Sequence, residues 1–241
     1  PKSHGVFVQN RFQAEMFPNR TTYLVPHWFN SFPADTEAEP YLPVPQIREL
    51  SPEEPLRVAT IWTKTKLELD YCDTVRPQFA TNYTCLSQKF GIERWYTSVD
   101  PTVNETFVNE ILQDPQLGPG YLYQHLFRQY DALVVYPKGG FKLKANSLQR
   151  IVSQMRSGVP VLVQCLGEAH NDFCQTFQYS CTFRSVEELS ALLDRLRDVS
   201  LRRKCQSEGL AIAQEYSPKK IVPIYLQALG LNVPSYQEGY S

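Results

Sequence analysis

Between positions 136 and 147 the sequence reads Tyr136-Pro137-Lys138-Gly139-Gly140-Phe141-Lys142-Leu143-Lys144-Ala145-Asn146-Ser147. It leaves a short apolar run and enters a helical pattern at Asn146 or Ser147. A helix N-terminus offers unpaired amides and the positive end of its dipole, and lysines add point charges. Lys138, Lys142, Lys144, Asn146 and Ser147 therefore suit a phosphate. The segment is not a P-loop, because Gly-x-x-x-x-Gly-Lys-Ser/Thr is absent, and it is not a dinucleotide fingerprint. A solvated lysine-rich loop capped by Asn or Ser is the plainer reading of the same residues. Lys64 and Lys66 follow another apolar run and would stand at the same edge if both runs are strands of one sheet. Glu68 and Asp70 are close enough in sequence to make them an ordinary charge cluster instead.

Other chemistry finds little support. His27, His125 and His170 are isolated, with no His-x-x-x-His pair and no Cys-x-x-Cys, so no metal or other cofactor is expected. There is no Gly-x-Ser-x-Gly elbow and no cysteine-protease signature. The chain has 241 residues with 24 Lys+Arg against 25 Asp+Glu and 42% hydrophobic residues. That excludes a disordered tail and a basic nucleic-acid binder. No apolar run has the length of a membrane span.

Six cysteines (Cys72, Cys85, Cys165, Cys174, Cys181, Cys205) and three sequons, at Asn19, Asn82 and Asn104, point to the secretory pathway and a glycoprotein. Six buried cytosolic thiols are the alternative. Cys174 and Cys181, close in sequence across an expected loop, are the first choice for a disulfide, and Cys72 with Cys85 the second. The chain opens on Pro1 with no signal core behind it, which suggests a processed or incomplete product.

Residues 1–31 read as a βαβ piece, with strands over 5–9 and 21–26 around a helical turn over 11–17. Residues 32–55 carry Pro33, Pro40, Pro43, Pro45, Pro52 and Pro55, with Pro26 just before them. Proline fixes φ and removes a donor, so this stretch is an extended linker or a strap on the surface. Residues 56–241 alternate strands (56–62, 92–98, 131–136, 161–165, 180–183) with helices (77–90, 105–112, 121–129, 146–156, 185–196, 201–216, 219–229). Gly158 before Pro160 is a helix stop, and Ser185 with Glu188 is a capping box. Alternation of this kind implies an α/β fold with a doubly wound, mainly parallel sheet and helices on both faces. Ligands then bind beyond the carboxyl ends of the strands, in the segments 63–73, 98–102, 137–147 and 166–171.

The order of these pieces resembles the donor-binding, C-terminal half of GT-B glycosyltransferases. The resemblance rests on the strand, polar loop and helix of 130–158, with Gly158-Val159-Pro160-Val161 opening the next strand. It rests also on the closing helices around Glu215-Tyr216-Ser217-Pro218, and on Val6-Phe7-Val8 and Tyr23-Leu24-Val25-Pro26-His27, which are similar to the end of the acceptor domain. It implies a Rossmann-like donor domain over 56–241 and transfer of sugar from a nucleoside-diphosphate sugar. Lys64, Lys66, Lys142 and Lys144 would then hold the diphosphate, and the helix start at Asn146 would stabilise the leaving charge. His27 is the candidate acid or base from the acceptor side, although an imidazole packed beside Trp28 is the plainer reading. The sequence departs from the retaining members, whose Glu-x7-Glu pair falls here on Ala145 and Ser153. Only the last piece of an acceptor domain is present. The two readings that follow are a glycosyltransferase completed by further polypeptide and inactive as this chain alone, and a non-catalytic glycosyltransferase-like module of a secreted or luminal complex.

Overall fold

Ala132-Leu133-Val134-Val135 and Val161-Leu162-Val163-Gln164 show no polar alternation, and a strand apolar on both faces belongs in the middle of a covered sheet. In the computed structural model, which describes residues 5–25, 44–62, 90–96, 127–135, 148–166 and 168–231, both are fully buried neighbours. They are β5 (Ala132–Val135) and β6 (Val161–Gln164) of a five-stranded sheet. Its other members are β3 (Val58–Trp62), β4 (Glu93–Tyr96) and β7 (Thr182–Phe183). The order is β4-β3-β5-β6-β7, every pairing is parallel, and the α/β class follows. A separate parallel pair, β1 (Val6–Val8) and β2 (Thr22–Leu24), is joined by the short helix α1 (Arg11–Ala14). The Asn10 carboxamide caps α1 by accepting from the Gln13 amide at 3.0 Å.

The later helices start and stop where their residues allow. Helix α2 (Gln149–Arg156) buries Ile151, Val152 and Met155 at helical spacing. It ends at Gly158, whose φ of +76° only glycine adopts cheaply. Helix α4 (Val186–Arg195) is capped by Ser185, whose hydroxyl accepts from the Glu188 amide at 3.2 Å. The returning Glu188 carboxylate takes the Arg184 amide at 2.6 Å, one residue earlier than in the usual reciprocal box. Asp198 caps α5 (Val199–Glu215), and Pro218 opens α6 (Pro218–Ala228), a position where its missing N–H costs nothing. Helix α5 lies on α2 at Gly209, where an added Cβ would stand 3.3 Å from Met155 Cγ. The helices expected over 77–90, 105–112 and 121–129 fall largely outside the described residues.

Two expectations are corrected. Residues Glu168–Thr176, expected to be partly loop, form a helix, α3, that buries Ala169, His170, Phe173 and Cys174. Cys174 is thereby turned into the core while Cys181, beside β7, faces α5. The disulfide is Cys181–Cys205, Cα atoms 6.1 Å apart, and not Cys174–Cys181. Packing of α5 on the sheet outweighs nearness in sequence. Cys72 and Cys85 lie outside the described residues.

Residues 44–57 form no regular element and act as a strap across the amino ends of β3, β5 and β6. Its anchor is Asp131, which is 7% exposed. Arg48 grips the carboxylate with two bonds of 2.7 Å, the Arg57 amide adds a third of 2.8 Å, and Arg202 of α5 lies 3.6 Å away. Gln206 of α5 donates to the carbonyls of Pro45 (2.8 Å) and Gly158 (2.6 Å), and Arg197 donates to those of Ser51, Pro52 and Glu54. Burial alone would raise the Asp131 carboxyl. The Arg48 and Arg57 hydrogen bonds, with the charges of Arg48 and Arg202, outweigh it and hold the group below the ordinary carboxylate range.

A carboxyl depressed by folding stabilises the native state above its unfolded value of about 4 and loses that contribution as pH falls through the native value. Asp131→Asn is therefore expected to cost about 2–3 kcal/mol at neutral pH, with the gap to the parent closing in acid. Urea unfolding of both proteins at neutral and acid pH reads this, and an equal gap at both would refute it.

Candidate functional site

The chain order turns at β3: the sheet grows to β4 on one side and then to β5 and onward on the other. In open α/β sheets the crevice for ligands lies beyond the carboxyl ends of the two strands at such a switch, here Trp62 of β3 and Val135 of β5. These strands immediately precede, in sequence, the two lysine-bearing segments. Lys64, Lys66, Lys138, Lys142, Lys144, Asn146, Ser147 and His27 themselves lie outside the described residues, as do Asn82 and Asn104. Asn19 is described and exposed, in the turn before β2. Ser153, which the resemblance puts at the second position of a carboxylate pair, spends its hydroxyl on the Arg150 carbonyl of its own helix at 3.0 Å.

The described part of the carboxyl edge is built around the exit of β6. Leu166 is exposed there, and α3 begins at Glu168. His170 Nδ1–H donates to the carbonyl of Gln164, the last residue of β6, at 3.2 Å. Burial, joined by the charge of Arg150 and only partly offset by that hydrogen bond, pushes His170 down to about 4. The imidazole is thus neutral at physiological pH and fastens α3 to the strand end, which is a positioning role. Arg184, just past β7, donates to Asn171 Oδ1 of α3 at 2.8 Å. Arg11 of α1 donates to Asp172 Oδ1 of α3 at 2.5 Å, and Phe7 of β1 stacks obliquely on Tyr225 of α6 at 5.3 Å between centroids. Arg11 leaves the carboxyl end of β1, so this contact brings the exits of the two parallel sheets toward each other. That is the arrangement a cleft needs.

A cavity of about 550 Å³ lies at the opposite, amino edge, beneath the strap, bounded by Arg48, Arg57, Asp131, Gly158 and Arg202. Topology places ligands of such sheets at the carboxyl edge, so this cavity is not the candidate site. The sequence reading missed its residues, although one signal was available. Arg202 falls in the same helical phase as Cys205, Gly209 and Ile212, the buried face of α5. Among the described residues no cluster of acidic, His and Cys side chains is set to hold a metal, and no helix is long and apolar enough to cross a membrane.

No protein-family model and no curated protein matches the chain. Solved structures do. Anabaena Alr3699/HepE, crystallised with UDP and glucose, is similar over 94% of this chain at 12% identity and a TM-score of 0.51. A TarM mutant from S. aureus, crystallised with UDP among its ligands, is similar over 93% at 13% identity and a TM-score of 0.50. The chain shares its fold with these structures, the GT-B fold. The chain spans 62% and 43% of the lengths of those two structures.

A base whose pKa is lowered by folding makes the native state lose stability as pH falls from the unfolded value of about 6.5 toward the native value. The parent is expected to lose up to about 3 kcal/mol between pH 6.5 and 4 on account of His170. His170→Asn, which keeps a donor for Gln164, is expected to lose distinctly less. Guanidinium titrations at the two pH values measure it, and parallel losses in both proteins would show that His170 does not titrate as described.

Proposed function

We propose that this chain is the donor-side part of a glycosyltransferase and binds a nucleoside-diphosphate sugar at the carboxyl edge between β3 and β5. The observation that carries the reading is the switch point itself. The strands on either side of it lead, in sequence, into the two segments where Lys64, Lys66, Lys138, Lys142 and Lys144 cluster, and Asn146 and Ser147 precede α2. UDP in both similar structures is consistent with this. Lysine ammonium groups and the amides of a helix start would neutralise the diphosphate and, in transfer, the charge that develops on it as the sugar leaves.

Binding is not transfer. Ground-state affinity alone does not lower the barrier, and the family's carboxylate positions hold Ala145 and Ser153. Further polypeptide supplying the acceptor wall is part of this proposal, because closure of two walls excludes water and orients the reactants. UDP is expected to bind the native chain measurably by calorimetry and the Lys142→Ala, Lys144→Ala double variant far more weakly. The chain alone is expected to show no acceptor-dependent consumption of labelled nucleotide-sugars. Equal binding by both proteins would remove the lysine loop from the site. No binding by either would favour the module reading, in which the fold serves assembly.

We also propose passage through the secretory pathway, supported by the Cys181–Cys205 disulfide and by an exposed sequon at Asn19. Intact mass of protein from its native source, before and after enzymatic deglycosylation, is expected to fall. An unchanged mass argues against glycan at Asn19, Asn82 and Asn104 alike.

A further inference from the structure

The cavity beneath the strap lies away from the proposed donor edge, yet its charges do not balance. Its space of about 550 Å³ is bordered by four guanidinium groups, of Arg48, Arg57, Arg128 and Arg202, and by only two carboxylates, of Glu54 and Asp131. Arg48 alone occupies both carboxylates, with two bonds of 2.7 Å to Asp131 and one from Nη1 to Glu54. Arg202 is the most buried of the four arginines, at 1% exposure. Its Nη1 stands 3.6 Å from Asp131, too far for a hydrogen bond, and its buried Nε and Nη2 have no acceptor among the described residues. A buried guanidinium with orphan donors is costly, and native structures meet such donors with water or an ion. Burial, only partly offset by Asp131, pulls Arg202 below its ordinary value, so its charge is under-answered where it stands, although it remains a cation. Arg57 is exposed and held over the Tyr130 ring, 5.3 Å from the centroid, a contact that gives its N–H groups no acceptor oxygen.

We propose that this cavity binds a small, doubly charged oxyanion of the phosphate class, with Arg202, Arg57 and Arg128 as its donors. The excess of two positive charges around the space sets the charge of the ligand. A guanidinium edge presents two parallel N–H groups to two oxygens of one phosphate, and the unpartnered Nε and Nη2 of Arg202 are the two atoms of one such edge. The space is larger than a bare phosphate fills, so it admits either the free ion or the phosphoryl end of a larger molecule. Its donors come from the entrance of β3, the turn before β5 and α5, which meet only in the folded chain. The ligand therefore ties the underside of the strap to α5 and stabilises the native state by mass action.

The test is calorimetric titration of the full chain with inorganic phosphate, at a pH where the ion is mostly doubly charged. Sodium chloride of equal ionic strength is the control, because bulk salt screens every surface charge. Saturable binding is expected in the parent, weakened on the order of tenfold in Arg202→Gln. Should that variant not fold, Arg57→Gln keeps the backbone amide that holds Asp131 and is still expected to bind more weakly than the parent. The Lys142→Ala, Lys144→Ala double variant is expected to bind phosphate as the parent does, which separates this site from the proposed donor site. Glycerol phosphate binding more tightly than phosphate identifies the phosphoryl group of a larger molecule as the ligand, and equal or weaker binding identifies the free ion. No saturable binding by the parent, equal binding by the parent and either arginine variant, or loss of binding in the lysine variant overturns the proposal.

Discussion

One buried carboxylate organises the amino side of this molecule. Asp131 stands at the entrance of β5, out of reach of bulk water, and a negative charge in that position is tolerable only if its lone pairs are occupied and its charge is answered. Three different parts of the chain do so: Arg48 from the strap, the Arg57 amide at the entrance of β3, and Arg202 from α5. Residues far apart in sequence are thereby brought into register at one point. The strap follows the amino ends of the strands because its own donors are needed there. Arg197, just before α5, and Gln206 of α5 extend the same logic by taking strap carbonyls that no strand or helix would satisfy.

With the amino edge closed over in this way, the carboxyl edge is the one that the proposed donor site would use. There two of the described contacts are between side chains on the outgoing segments. Arg11 with Asp172 and Arg184 with Asn171 are exposed pairs that orient neighbours without contributing much to stability. Among the described residues of this edge, His170 is the inward-facing tether. The carboxyl edge is thus held by a few exposed, adjustable contacts, opposite an edge held by a buried charge network.

How much of this was legible in the sequence depended on which physical signal each element carries. The strands β3, β5 and β6 announce themselves as short apolar runs, and the ends of α2 and α4 as glycine-proline and serine-glutamate signals, because those features act locally. Helix α3 was obscured by Asn171 and Asp172, poor helix formers in the middle of its polar face, although Ala169, His170, Phe173 and Cys174 share a buried side. The disulfide was misassigned for a related reason. Separation along the chain governs loop entropy, but the direction in which a helix turns its cysteine decides which sulfur it can reach. The Asp131 network was invisible because it is made between elements and leaves no period in any one of them. Of the lysine segments, the sequence supplies the charge and their position after β3 and β5, and the residues themselves lie outside the described part.

Gly158 illustrates a further consequence. Its left-handed backbone ends α2, and the space where a side chain would begin is filled by Pro45, whose Cδ would lie 2.8 Å from an added Cβ. Two unrelated demands therefore meet on one residue. A substitution that a helix terminus elsewhere would tolerate also evicts the strap here, and a compensating change at Pro45 cannot repair the backbone. Variation at these two positions is expected to be correlated in one direction only: the proline can drift while the glycine stays, but the glycine has no partner whose change would release it.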